Sequence, residues 1–454
     1  MKRVFAFLGF PDRITLRRLL LLEPHLRERN LEMLVCNEQN LLESAAGQEA
    51  KFLGINLSLR FVPYERPAPG TYPPGLPASP TAERLRRVHR HDSRSRKTPP
   101  SEQLHDLFTS AGIPPAELIQ PFVNHCRSVF LRHYKTASLL LDQLQPDLLL
   151  FDNELCSSTR AMILAARDRR IRIVALQHGD GYGEFYRRIP VLADDVIAYG
   201  EYNRSILDAM GVPRERIHVT GAPESDFAAR LDRETVRARV RKRLSIPEDT
   251  RVLLLALRPF RLPTHSQMNI RLLSQCREVL RSATTKVRVL TKFHPADYPI
   301  SSNELLRRHA EVLEAFTPVP HEESLLELLA ASDLFVTFKS TSVVESVLLN
   351  VPLFLVLSSD DDLWPPWETF ALFPHGSPED LASFLLNQFL SKHFPDCVNN
   401  PSDKRQAFLR HFRHAFDGLA CQRIAGVLSK LAASGPTRPA IENDVEISTW
   451  SRKE

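Results

Sequence analysis

At 454 residues, with 43% hydrophobic and 25% charged side chains, the chain is long enough for two apolar cores, which excludes a single small domain and a disordered chain. A net charge of +5 is mild and argues against wholesale nucleic-acid binding, and no run reaches the ~20 apolar residues a membrane helix needs. Six cysteines without a CxxC pair exclude a zinc cluster or a disulfide framework and fit a reducing cytoplasm, so a soluble or at most peripheral protein is expected.

The first apolar run follows Lys2 and Arg3 and is too short for a signal peptide. Residues 4–8 read as a strand, 14–29 as a helix and 31–36 as a second strand, the opening of a doubly wound sheet. Gly9 stands alone between them, so a GxGxxG dinucleotide site has no support. Residues 57–62 are a third strand. From 63 to 100 the pattern dissolves into a proline-rich and then arginine-rich insertion, expected as a solvated loop. Its alternative role is contact with anionic lipid headgroups or a phosphorylated acceptor.

Residues 101–144 are mostly helical, with Pro114, Pro115 and Pro121 breaking the helix early. Strands follow at 146–152, 171–177, 196–199 and 217–220, with helices at 159–169 and from 201, and the first domain closes at Gly221. A helix over 230–244 bridges to a second domain, 222–433, which repeats the grammar. Its strands fall at 251–257, 287–293, 333–338 and 353–357, and its helices at 266–282, 303–316, 325–331 and 343–349. Helices at 378–389 and 404–431 close the fold, the last long enough to return to the first domain, and 434–454 has tail composition.

Ligands of open α/β sheets bind beyond the carboxyl ends of the strands, so the candidate site is collected there. Between strands 333–338 and 353–357 lies a hydroxyl-rich turn opening a helix, where free N–H groups favour an anion. Ser340, Thr341 and Ser342 supply donors, Lys339 a charge, and Glu345 lies one turn inside; the plainer alternative is that these hydroxyls only cap the helix. Gln177-His178-Gly179-Asp180-Gly181 follows a strand of the first domain, with Glu184 beyond it. Its glycines allow close approach, and His178 and Asp180 compete to take a proton, with Glu184 third. Lys292 and His294 follow a strand of the second domain, and Arg258 and Arg261 another, placed to clamp a phosphate. Asp360–Asp362 spells a DxD sequence in a polar loop, read as solvated, and no metal or cofactor is expected.

The 333–357 unit resembles the donor-nucleotide motif of GT-B glycosyltransferases, with Asn350-Val351 where the family carries Gly and a small residue. The Gln177-His178-Gly179 turn and the His294-Pro295 pair are similar to those of CDP-glycerol glycerophosphotransferases, capsule polysaccharide enzymes and polysialyltransferase-like proteins. The resemblance implies a GT-B-like α/β fold of two Rossmann-like domains facing a cleft. It implies that Ser340–Ser342 hold nucleotide phosphates, that Glu345 holds ribose hydroxyls, and that His294 assists departure of the nucleotide. The function expected first is a metal-independent inverting transferase moving a sugar or polyol phosphate from a nucleotide-activated donor to a glycan or lipid-linked acceptor. A UDP-sugar 2-epimerase, or a non-catalytic nucleotide-sugar-binding protein of the same fold, is the alternative.

Overall fold

The computed structural model describes residues 1–8, 13–37, 46, 50, 53, 59–64, 115–154, 156–180, 191–260, 263–294, 297, 316–320, 323–358, 365–391, 394 and 402–435. The basic insertion beyond residue 64, Glu184, Arg261, Asp360–Asp362 and the tail lie outside them.

The first sheet has seven parallel strands: β1 (Lys2–Leu8), β2 (Leu31–Asn37), β3 (Arg60–Phe61), β4 (Leu148–Phe151), β5 (Arg172–Leu176), β6 (Asp195–Ala198) and β7 (Ile217–Val219). Their spatial order is β3-β2-β1-β4-β5-β6-β7. The helices are α1 (Arg13–Arg27), α2 (Pro115–Leu144), α3 (Ser157–Asp168) and α4 (Glu201–Ala209). Residues Val4–Leu8 and every residue of β4, β5 and β6 are buried, as a sheet covered on both faces requires. Alternate residues of β1 feed two cores: Val4, Ala6 and Leu8 face one, Phe5 and Phe7 the other.

Two helices, α5 (Pro223–Arg230) and α6 (Arg233–Arg243), join the domains where one was expected. Asp232 separates them, its carboxylate accepting from the Glu234 and Thr235 N–H groups as the N-cap of the second. The second sheet has six parallel strands: β8 (Arg251–Ala256), β9 (Val287–Lys292), β10 (Thr317–Pro318), β11 (Leu334–Phe338), β12 (Leu353–Val356) and β13 (His375–Gly376). Their order is β10-β9-β8-β11-β12-β13. Around it lie α7 (Pro263–Arg281), α8 (Leu325–Ala331), α9 (Ser342–Leu348) and α10 (Pro378–Phe384). The two-residue edge strands β10 and β13 have no sequence period to betray them.

Residues 404–431 do not form one helix. α11 (Ser402–Arg413) and α12 (Ala420–Ser434) are separate, with His414 and Gly418 at positive φ between them. The buried Asp226 carboxylate accepts the Ala420 and Cys421 N–H groups at 2.8 and 2.7 Å, fixing the new start. The break divides the allegiance of the two helices. Phe408, Leu409 and Phe412 of α11 belong to a core of the second domain, whereas Ile424, Ala425 and Leu428 of α12 pack with α1 in the first. α2 likewise differs from expectation, beginning at Pro115 and continuing unbroken past Pro121. Residues 101–114 and 303–315 lie outside the described set. Cys36, Cys276 and Cys421 are free thiols. No helix among the described residues is long and apolar enough to cross a membrane.

Candidate functional site

Strand order reverses between β1 and β4 in the first sheet and between β8 and β11 in the second. Those switch points are where an open parallel sheet leaves a crevice at its carboxyl edge. The candidate residues converge on both of them.

In the second domain, register brings the groups level. Lys292 of β9 pairs with Ala256 of β8, and Ala256 pairs with Thr337 of β11. Two residues beyond these paired positions come His294, Arg258 and Lys339, each following the carboxyl end of its strand. The Arg258 guanidinium lies 4.6 Å from the Phe338 ring centroid, which packs it directly before the hydroxyl turn. Asn269 fixes its backbone, accepting from the Arg258 N–H and donating to the Arg258 carbonyl. The Asp297 carboxylate accepts the Phe260 N–H at 2.9 Å while the Asp297 N–H donates to the His294 carbonyl, tying the two loops together. His294 itself is exposed.

The hydroxyl turn does more than cap a helix. Ser340 Oγ and Ser342 Oγ bond to each other, and Thr337 Oγ1 lies 3.4 Å from Ser342 Oγ. Thr341 occupies the N-cap position of α9 with no side-chain capping bond. Its Oγ1 instead accepts the Asp180 N–H at 3.3 Å, from the facing domain. Lys339 is buried and ion-paired with Glu368 at 2.9 Å, so its charge is shared. Glu345 is half-buried. Burial and the neighbouring Glu224 carboxylate push its carboxyl up to about 7, against the pull of Arg413, Arg18 and Arg17.

In the first domain the Gln177–Asp180 turn is held by its own first residue. Gln177 Oε1 accepts the Tyr199 N–H and its Nε2 donates to the Gly179 carbonyl, both at 2.8 Å. His178 Nδ1 lies 2.9 Å from Asp152 Oδ2, immediately after β4, and Thr15 of α1 donates to the same oxygen at 2.6 Å. The side chain of Asp152 is 8% exposed and that of His178 is 39% exposed. Burial would raise the Asp152 carboxyl, but the hydrogen bonds and charges of His178, Thr15 and Arg18 outweigh it and hold the group below its ordinary value. An ionised carboxylate on Nδ1 holds the proton there and leaves the ring's basic lone pair on Nε2. Glu154, at the end of the same strand segment, accepts the Leu192 N–H at 2.9 Å.

Asp180 is placed differently from the expectation that it competes for a proton. It is fully buried, and Arg413 of α11 binds both its oxygens at 2.7 Å. A carboxylate so enclosed does not face a cleft substrate. The structure thus brings His178, Arg258, Ser340, Thr341, Ser342 and Glu345 to the carboxyl ends of strands about the two switch points, with Lys292 at the end of β9 and His294 two residues beyond it. Asp152, Thr15, Arg18, Glu224 and Arg413 complete the surroundings and were not singled out from sequence. Asp152 was findable, as an acid one residue past a buried strand; Arg413 has no local signal, its partner being 233 positions away. Among the described residues no group of three His, Cys, Asp or Glu side chains is placed to hold a metal ion.

Comparison with known proteins bears on this geometry. The family model described as UDP-N-acetylglucosamine 2-epimerase matches residues 125–359. A search of curated proteins returns no significant match. Among solved structures, UDP-GlcNAc 2-epimerase from Neisseria meningitidis bound to UDP-GlcNAc aligns with a TM-score of 0.60 at 12% identity, covering 95% of this chain and 100% of that one. The S. aureus MnaA–UDP structure gives 0.57 at 14%, covering 97% and 99%. The wall teichoic acid polymerase TagF gives 0.54 at 13%, covering 95% and 89%. The fold is GT-B-like, two Rossmann-like domains each built on a parallel sheet.

Proposed function

The chain belongs to the UDP-N-acetylglucosamine 2-epimerase family, and from that premise we propose that it is an enzyme acting on a UDP-activated N-acetylhexosamine, inverting C2 by way of reversible cleavage of the bond between sugar and diphosphate. The family match supports the function that sequence analysis placed second. The observation that carries the reading is the His178–Asp152 dyad at one switch point, in a turn whose Gly179 and Asp180 meet Thr341 of the hydroxyl turn at the other. In this reading Ser340, Thr341 and Ser342 bind the diphosphate, with Arg258 and Lys292 offsetting its charge. Glu345 accepts from the ribose hydroxyls.

The chemistry needs a base and a leaving group on neighbouring carbons. His178 Nε2 takes the C2 proton, the C1–C2 double bond forms, and the electrons of the C1–O bond leave with UDP. His294 donates to the charge that grows on the leaving diphosphate. Re-addition of UDP at C1, with a proton delivered to the opposite face of C2, gives the epimer. No atom is gained or lost overall.

The test is proton NMR of UDP-N-acetylglucosamine with the enzyme in D2O. The expected result is a second UDP-sugar with deuterium at C2, and a loss on the order of 10²–10⁴-fold in His178→Ala. A substrate that keeps its C2 proton under turnover refutes the epimerase. A second reading, transfer of the same sugar to an acceptor hydroxyl, is favoured by the 39% exposure of the His178 side chain, which leaves the base reachable by an incoming hydroxyl. It predicts UDP release that depends on added acceptor, with the C2 proton retained.

A further inference from the structure

One buried charged network plays no part in the chemistry above. Its centre is Tyr199, directly after β6, whose ring lies 5.6 Å from the Arg18 guanidinium and 5.3 Å from that of Arg413. Each guanidinium carries a carboxylate: Arg18 of α1 bonds Glu224 of α5, and Arg413 takes both oxygens of Asp180. Tyr199 and Asp180 are 0% exposed, Arg413 2% and Arg18 3%. Tyr199 Oη, Arg18 Nη1 and Glu224 Oε2 find no hydrogen-bond partner among the described residues. Burying three charges and half-burying a fourth, with unfilled donors and acceptors, is a poor way to gain stability, since apolar residues of similar volume do as well or better.

What the network does accomplish is a connection. Asp180 and Tyr199 follow strands of the first sheet, while Arg413 ends the helix whose Phe408, Leu409 and Phe412 lie in a second-domain core. Asp180 also reaches the second domain through its backbone, donating its N–H to Thr341 Oγ1. A Cβ on Gly179 would stand 3.1 Å from that same oxygen, so the turns are in contact. His178 lies two residues before Asp180, along a turn that Gln177 holds rigid. Any shift of Asp180 is therefore passed to the imidazole.

We propose that Asp180 and Arg413 form a positioning pair that locks the turn carrying His178 against the Ser340–Ser342 turn of the other domain. Asp180 acts through His178 and takes no proton itself. The inference rests on His178 being the base.

The experiment compares Asp180→Asn, Arg413→Gln and the two combined. A displacement of about 1 Å at the reacting centre costs ~100-fold in rate, so each single variant should lose about that much in kcat for UDP-N-acetylglucosamine while KM holds. The combined variant leaves no buried charge unpaired, so its melting temperature should return towards wild type while kcat stays low. Recovery of kcat together with melting temperature would reduce the pair to a structural one and overturn the proposal; so would wild-type kcat in the singles. If the singles do not fold, the combined variant carries the comparison. A wild-type enzyme inert on nucleotide sugars refutes the function reading instead. The pair is then read from the His178 imidazole, whose NMR pH titration in the unliganded protein should be displaced in the combined variant. An unchanged titration would overturn the pair independently of any activity.

Discussion

At the scale of single residues, Glu345 is where protonation and binding meet. Its carboxyl is shifted from 4.5 to about 7 by burial and by Glu224. A group whose folded value is raised holds a proton that the unfolded chain has lost, so its contribution to stability falls as pH rises from about 4.5 to 7 and is flat above. Binding runs the other way, because accepting two ribose hydroxyls favours the ionised form. Glu345→Gln should therefore resemble wild type in melting temperature near pH 5 and exceed it near pH 8, where wild type buries a charge. UDP affinity of wild type should rise through pH 7 beyond the part due to the diphosphate's own ionisation. Calorimetry on both proteins separates the two, and parallel pH dependences would remove Glu345 from the nucleotide site. Asp152 has the opposite sign: its lowered carboxyl adds stability that is lost as pH falls through its folded value.

At the scale of elements, the hydroxyl turn makes the cleanest prediction. Ser340 and Ser342 bond each other at the head of α9, while the helix is anchored by the buried Val343, Val344, Val347 and Leu348. Ser340→Ala with Ser342→Ala should weaken UDP binding by about 3–6 kcal/mol, at about 1.5–3 kcal/mol for each of two charge-assisted hydrogen bonds, and leave the melting temperature nearly unchanged. Equal affinity in calorimetry would take the phosphate away from this turn. The same element shows what a sequence makes visible. β11, the turn, α9 and β12 were legible because an apolar run, a polar break and a helical period follow each other within 25 residues, and Ser340 to Glu345 fell where expected. The single helix expected over 404–431 was not a misread period. Its break is imposed from outside, by Asp226 capping Ala420 and by residues at positive φ, neither of which alters apolar spacing. Asp180 is enclosed by a partner that sequence neighbours do not reveal. Its neighbours in sequence advertise a reactive turn, while the group that decides its role arrives from α11.

At the scale of the whole molecule, the two domains are held at a particular distance by backbone as well as by charge. Gly200 has an extended backbone with no positive φ, yet a Cβ there would lie 2.4 Å from the His411 carbonyl oxygen and 2.5 Å from the Phe412 carbonyl carbon. Those are main-chain atoms of α11 and cannot rotate away, so the glycine is required by the approach of α11 to the first domain. Arg413 follows Phe412 directly, which puts the contact one residue from the Asp180 pair. Gly200→Ala should push α11 outward, costing about 1–3 kcal/mol as overpacking does and loosening the Arg413–Asp180 bond. Gly426 offers the control. It lies inside α12 with nothing within 4 Å of an added Cβ, so Gly426→Ala should stabilise the helix by roughly 0.5–1 kcal/mol. Denaturant unfolding should move in opposite directions for the two variants. Activity should fall in Gly200→Ala beyond what its folded fraction explains, and hold in Gly426→Ala. A Gly200→Ala enzyme with wild-type turnover per folded molecule would show that the close packing of α11 on the first domain does not set the geometry of the cleft.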